Sequence, residues 1–148
     1  MRKILCVISI LICIILTACG NDSSVGIIGG ADGPTSITVA DKGEKVMYEH
    51  ISAEDAKKIM DSGEKVVILD VREQDEYDEG HIVGSILIPY TEIGNKAQET
   101  LPDKDKQILV YCRSGRRSKI AAETLAKLGY TNVKEFGGII DWPYETEK

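Results

Sequence analysis

The sequence predicts an α/β domain with a mainly parallel central sheet and helices on both faces, and three observations carry that expectation. Residues 66–69, 86–88 and 108–111 are short unbroken apolar runs, as strands buried on both faces require. Between them lie segments with helical spacing and caps, and strands that alternate with helices imply parallel pairing. Cys112 follows the run 108–111 and precedes a helical pattern, so it falls at the C-terminal end of a strand, where open sheets place their chemistry. A chain of 148 residues, 43% apolar and 28% charged, fits one such domain.

Residues 1–18 are expected to be a signal and not part of the fold. Arg2 and Lys3 form a positive start, and residues 4–16 are an apolar stretch, shorter than the roughly 20 residues of a membrane span but suited to an export signal. Leu16, Thr17, Ala18 and Cys19 resemble the lipobox of bacterial lipoprotein signal peptides. That resemblance implies cleavage before Cys19, lipidation of Cys19 and anchoring on the extracytoplasmic face of the cell membrane. Cys6 and Cys13 would leave with the signal, Cys112 would be the single free thiol, and no internal disulfide is expected. Loss of Arg2 and Lys3 leaves 16 basic against 24 acidic residues, a net charge of −8. A body this acidic is not expected to bind nucleic acid.

Residues 19–45 read as a tether, rich in Gly, Ser, Asp and Thr, with a coil span of roughly 25–30 Å. Within it Gly26, Ile27, Ile28, Gly29, Gly30, Ala31, Asp32, Gly33, Pro34 and Thr35 resemble a glycine-rich segment of the membrane-embedded beta subunit of sodium-pumping decarboxylases. One carboxylate among glycines does not supply enough ligands to dehydrate a cation, so no sodium site is assigned.

The domain is expected over residues 46–148. Residues 46–48 suit a short strand, and Ser52 caps a helix with Ala53, Ala56, Ile59 and Met60 on one face, closing near Gly63. The strand 66–69 ends in Asp70, residues 75–79 form an acidic turn or short helix within the acidic stretch 73–79, which reads as a solvated face, and Pro89 ends the strand 86–88. A helix is expected within 91–101, and residues 102–106 turn into the strand 108–111. The next helix presents Ala121, Thr124, Leu125 and Leu128, and Gly129 caps its end. A last strand covers 133–136 before Gly137 and Gly138 turn into the Trp142 segment.

The loop Cys112, Arg113, Ser114, Gly115, Arg116, Arg117, Ser118 carries the chemistry. A loop wound into a helix N-terminus points backbone N–H groups inward, and the helix dipole behind them favours an anion. Gly115 permits a turn that a side chain would obstruct. Arg113, Arg116, Arg117 and Lys119 gather cations in an acidic chain. Donors and cations together favour thiolate over thiol and make Cys112 a nucleophile near neutral pH.

Asp70, Val71, Arg72; Glu79, Gly80, His81, Ile82; Gly84, Ser85; Ile88, Pro89; the Cys112 loop; and Gly137, Gly138 and Trp142 follow one another as the motifs of a single-domain rhodanese. The chain resembles that family from about residue 46 to 145. The resemblance implies a thiosulfate or persulfide sulfurtransferase that carries sulfur as a Cys112 persulfide and passes it to a thiol or cyanide. Arg113, Ser114, Gly115, Arg116, Arg117 and Ser118 would bind the anionic donor and the persulfide, with Asp70 and Arg72 bracing the loop from behind. No metal or organic cofactor is implied, and a monomer is expected.

His81, at a turn before a strand, reads as a packing residue, since a thiolate ionised by its loop needs no base. Trp142 reads as a lid on the core. Two other classes remain as alternatives. Dual-specificity cell-cycle phosphatases of the same fold have a loop one residue longer, with arginine at the sixth position after the cysteine, where this chain has Ser118. A membrane-tethered module that binds or senses sulfide or persulfide could use the same pocket without turnover.

Overall fold

Alternating short strands and helices place residues 108–112 at the centre of the domain. The computed structural model describes residues 35–41 and 44–148, with side chains from Met47 onward. In chain order the elements are β1 (Thr35–Asp41), β2 (Glu44–His50), α1 (Ala53–Asp61), β3 (Val67–Asp70), α2 (Gln74–Glu79), β4 (His81–Ile82), β5 (Ile86–Leu87), α3 (Ile93–Thr100), β6 (Ile108–Cys112), α4 (Arg116–Lys127), β7 (Val133–Gly138), a 3-10 turn (Ile139–Asp141) and β8 (Thr146–Glu147). The main sheet runs β1-β2-β7-β6-β3-β5. In this sheet every pair from β2 to β5 is parallel, and the β1–β2 hairpin is antiparallel.

The pleat explains why β6 reads as one apolar run. Ile108, Val110 and Cys112 face a core shared with Ile93 and Ala97 of α3 and Ala121, Ala122 and Leu125 of α4. Leu109 and Tyr111 face the other way, onto Ala56 of α1, Phe136 and Trp142. Helices therefore cover both faces, as expected of a parallel sheet. Ser52 caps α1 by accepting from the Asp55 N–H, and Gly129, at φ +89°, ends the turn after α4. Trp142 packs beside Phe136, and His81 stacks on Tyr77 at 3.7 Å, so both serve packing.

The tether boundary needs correcting. Residues 35–41, expected as linker, form β1, and its register with β2 runs from Thr35 opposite His50 to Asp41 opposite Glu44. Thr35, Ile37, Thr38 and Val39 are β-branched residues suited to a strand, but with no helical period they read as polar linker. Residues 137–138 are also not simply a turn, because they complete β7. The small antiparallel pair of β4 and β8 was not legible, since two-residue strands carry no period. The signal, Cys6, Cys13, Cys19 and residues 26–34 lie outside the described residues. Among the described residues no helix is long and apolar enough to cross a membrane.

Candidate active site

Cys112 is the last residue of β6, and its neighbours follow from how β7 ends. β6 and β7 pair in register from Ile108 opposite Val133 to Val110 opposite Glu135, then slip so that Cys112 faces Gly138. The slip is a bulge on β7, with Gly137 at φ +94°. It lays the end of β7 under the loop so closely that a Cβ on Gly138 would lie 2.6 Å from Ser114 Cα and collide with the Arg113 carbonyl. The Gly137-Gly138 pair thus lets one backbone pass against another.

The loop closes around the sulfur. Gly115, at φ +92°, is the N-cap of α4, and its N–H donates to Cys112 Sγ at 3.1 Å. The Ser118 hydroxyl lies 3.6 Å from the same sulfur. Burial pushes the Cys112 thiol up, but its hydrogen bond with the Ser118 hydroxyl and those from the backbone N–H groups of Ser118, Ser114 and Gly115 outweigh it, leaving the thiol below its ordinary pKa. The cysteine is only 1% exposed, so it is a sheltered thiol with lowered pKa.

The other predicted residues divide into rim and support. Arg113, Ser114, Arg116 and Lys119 are exposed, while Gly115 and Ser118 are buried. Arg117 is committed elsewhere: its guanidinium grips Glu76 of α2 with two hydrogen bonds of 2.5 and 2.7 Å. Glu76, and to a lesser degree the nearby Cys112 sulfur, raise the Arg117 pKa further. Asp70 and Arg72 pair with each other at 2.7 Å, Arg72 also donates to the Gly80 carbonyl, and its guanidinium lies over the Tyr111 ring. They fix the end of α2, and through Glu76 that helix holds Arg117.

Sequence reading missed two of the site's acids and a histidine. Glu76 lay in a stretch taken as a solvated face. Glu135 of β7 is fully buried beside α4; one carboxylate oxygen accepts from the Ser118 hydroxyl at 2.6 Å and the Gly137 N–H at 2.8 Å. The other meets His50 Nδ1 at 2.6 Å. The available signal was a glutamate at an inward register position two residues before the glycine pair.

A cleft of about 380 Å³ lined by Arg72, Glu76, Glu79, Arg113, Ile139 and Ile140 opens beside the loop. A larger cavity of about 870 Å³, between α1 and residues 142–145, has no loop residue in its walls. The smaller cleft is the one with a loop residue, Arg113, in its wall, next to Cys112 in the chain.

A parallel α/β sheet whose central strand delivers a low-pKa cysteine into an N–H-lined loop at a helix start defines a class of domain built for nucleophilic sulfur chemistry. The family described as Rhodanese-like domain matches residues 52–143, well over half of the chain, and the chain belongs to it. It is 42% identical over 98 residues to YrkF of Bacillus subtilis, covering 66% of this chain and 52% of that protein, so it spans about half the length of that relative. It is 40% identical over 73 residues to thiosulfate sulfurtransferase PspE of Escherichia coli, covering 49% of this chain and 70% of PspE. Among solved structures, a rhodanese with anions from E. coli aligns at TM-score 0.54 and 36% identity over 57% of this chain and 99% of that one. A rhodanese-related protein from Thermoplasma volcanium aligns at TM-score 0.59 and 36% identity, over 68% of this chain and 98% of that one.

Proposed function

We propose that this protein is a membrane-anchored thiosulfate or persulfide sulfurtransferase that carries sulfur on Cys112. The observation that carries the reading is the Gly115 N–H at 3.1 Å from the Cys112 sulfur, at the mouth of a helix and with the thiol pKa lowered. The thiosulfate sulfurtransferase PspE among its relatives supports the same reaction.

In the first displacement the Cys112 thiolate attacks the sulfane sulfur of thiosulfate. A new S–S bond forms, the donor's S–S bond breaks, and sulfite leaves with its electron pair. The persulfide anion then lies against the loop N–H groups, of which those of Ser114, Gly115 and Ser118 already reach the sulfur. Exposed Arg113, in the wall of the cleft, and exposed Arg116 attract the donor. In the second displacement an acceptor thiolate or cyanide attacks the outer sulfur, and Cys112 leaves as thiolate. The loop is one residue too short, with Ser118 at its sixth position, to match the phosphatases of this fold. Anchoring rests on the lipobox-like residues 16–19.

The test is peptide mass at Cys112 in the full chain, before and after thiosulfate and again after cyanide. A gain of one sulfur that cyanide removes is expected, and Cys112→Ser should abolish it. A folded protein that gains no sulfur from thiosulfate or a low-molecular-weight persulfide would leave the binding-module reading in its place. Cys19→Ala should release the protein from membranes; retention would refute lipid anchoring.

A further inference from the structure

Glu135 is a fully buried carboxylate that neither the fold nor the displacement chemistry requires. It occupies an inward position on β7 next to Val133, whose side chain packs in the apolar core, so a simple fold would place a hydrocarbon there. Instead it is placed one hydroxyl away from the nucleophile. The Cys112 sulfur is 3.6 Å from Ser118 Oγ, and Ser118 Oγ is 2.6 Å from Glu135 Oε1. The Gly137 N–H fixes the same carboxylate oxygen, and His50 holds the other.

Ser118 has a single hydroxyl proton, and this decides what the arrangement does. Its acceptors are Glu135 Oε1 at 2.6 Å and the carbonyls of Gly115 at 2.9 Å and Gly137 at 3.4 Å; with Glu135 ionised, the shortest and charged of these takes the proton and the thiol donates to Oγ. Ser118 can donate to a thiolate only if its own proton has gone elsewhere or turned away from Glu135. The line of donors offers one balanced route: the thiol proton moves to Ser118 Oγ while the Ser118 proton moves to Glu135 Oε1. Thiol and carboxylate become thiolate and carboxylic acid, with Ser118 now donating to sulfur and no proton lost to solvent.

We propose that Glu135 receives the Cys112 proton through Ser118, so that thiol and carboxylate share one proton. Ser118 touches the reacting sulfur; Glu135 is a positioning residue that acts through it. Around the carboxylate stand His50 and Tyr48 of β2, Cys112 of β6 and Ser118 of α4. Tyr48, raised by burial and then by Glu135, also lies within reach of Glu123 of α4, and Arg117 lies close to the sulfur.

The inference deepens the proposed reaction by naming where its proton goes, yet its test does not need sulfur transfer. The rate of Cys112 alkylation by iodoacetamide is followed against pH in the full chain, with the Cys112 adduct read by peptide mass. A coupled pair loses its two protons in separate steps. The wild type is therefore expected to show two rises in rate separated by a shelf across neutral pH, where the shared proton makes the thiolate fraction independent of pH. Glu135→Gln keeps the shape but cannot take the proton, and should give a single rise of about tenfold per pH unit below the thiol pKa. Ser118→Ala removes the hydroxyl that links sulfur to carboxylate and should shorten the shelf by weakening their coupling, and it tests the idea if the Gln variant fails to fold; a shelf of unchanged width would count against it. His50→Gln and Tyr48→Phe should keep two steps. A single rise in the wild type, or two rises that persist in Glu135→Gln, would overturn the proposal. Failure of thiosulfate loading with the shelf intact would count against the sulfurtransferase reading alone.

Discussion

At the residue scale, Arg117 and Glu76 show how a cation of the loop can serve by being neutralised. Two short hydrogen bonds tie the half-buried guanidinium to a carboxylate that is 25% exposed. The Glu76 pKa is held below the ordinary carboxylate range, first by the Arg117 hydrogen bonds, against some burial, and then by the Glu73 N–H and the charges of Arg117 and Arg72. A depressed carboxylate contributes stability above its unfolded pKa of about 4.3 and loses it as pH falls through the folded value. Glu76→Gln should therefore unfold at lower temperature than wild type near pH 7, by an amount worth about 1 kcal/mol or less after solvent screening. The gap should shrink as pH falls below the unfolded value of about 4.3, and thermal unfolding across that range measures it. At the exposed rim, Arg113→Ala should raise the thiosulfate KM several-fold, with a smaller effect on a neutral persulfide donor. Equal effects on both donors would show that Arg113 does not read charge.

At the element scale, the site depends on the meeting of β7 with the loop after β6. Gly138 has no free space on the loop side, since its Cβ position coincides with the Arg113 carbonyl and the Ser114 backbone. Gly138→Ala should force the strand end and loop apart. The expected result is a fall in Tm of several degrees, from a cost of about 1–3 kcal/mol, together with a slower reaction of Cys112 with iodoacetamide. Unchanged alkylation in a folded variant would mean that the bulge does not set the loop. Residue types marked this region only partly. Gly137 and Gly138 were visible as a pair, but they read as a turn, because the sequence does not say that another backbone crosses them.

At the scale of the whole molecule, β6 ties the two cores together, with its five residues buried on alternating faces. Leu109, fully buried against the α1 side, is a support far from the sulfur. Leu109→Ala should cost about 2–5 kcal/mol by chemical denaturation, from lost burial and the cavity left behind. Charge acts at the same scale. The chain carries 24 acidic against 18 basic residues, yet the exposed cations Arg113, Arg116 and Lys119 cluster at one loop. An anionic donor should be drawn there by a local field that salt screens over about 10 Å at 0.1 M. Raising ionic strength should increase the thiosulfate KM while leaving alkylation by neutral iodoacetamide nearly constant.

The sequence by itself determined the parallel α/β class, because strands buried on both faces must be apolar throughout and their order along the chain is visible. It also singled out Cys112 as the candidate nucleophile, because loop, glycine and helix start are contiguous and their physics is local. The capped α1 and the end of α4 at Gly129 were legible for the same reason. Only the tertiary structure decided that Glu76 takes Arg117, that Asp70 and Arg72 hold each other and α2, and that Glu135 joins Ser118 to His50. Those partners are 41, 2, 17 and 85 residues apart in the chain. No local period encodes the long pairings, and even the short one needed the fold to bury it beside Tyr111. A carboxylate shows its chemistry only when folding removes its water and fixes its partners.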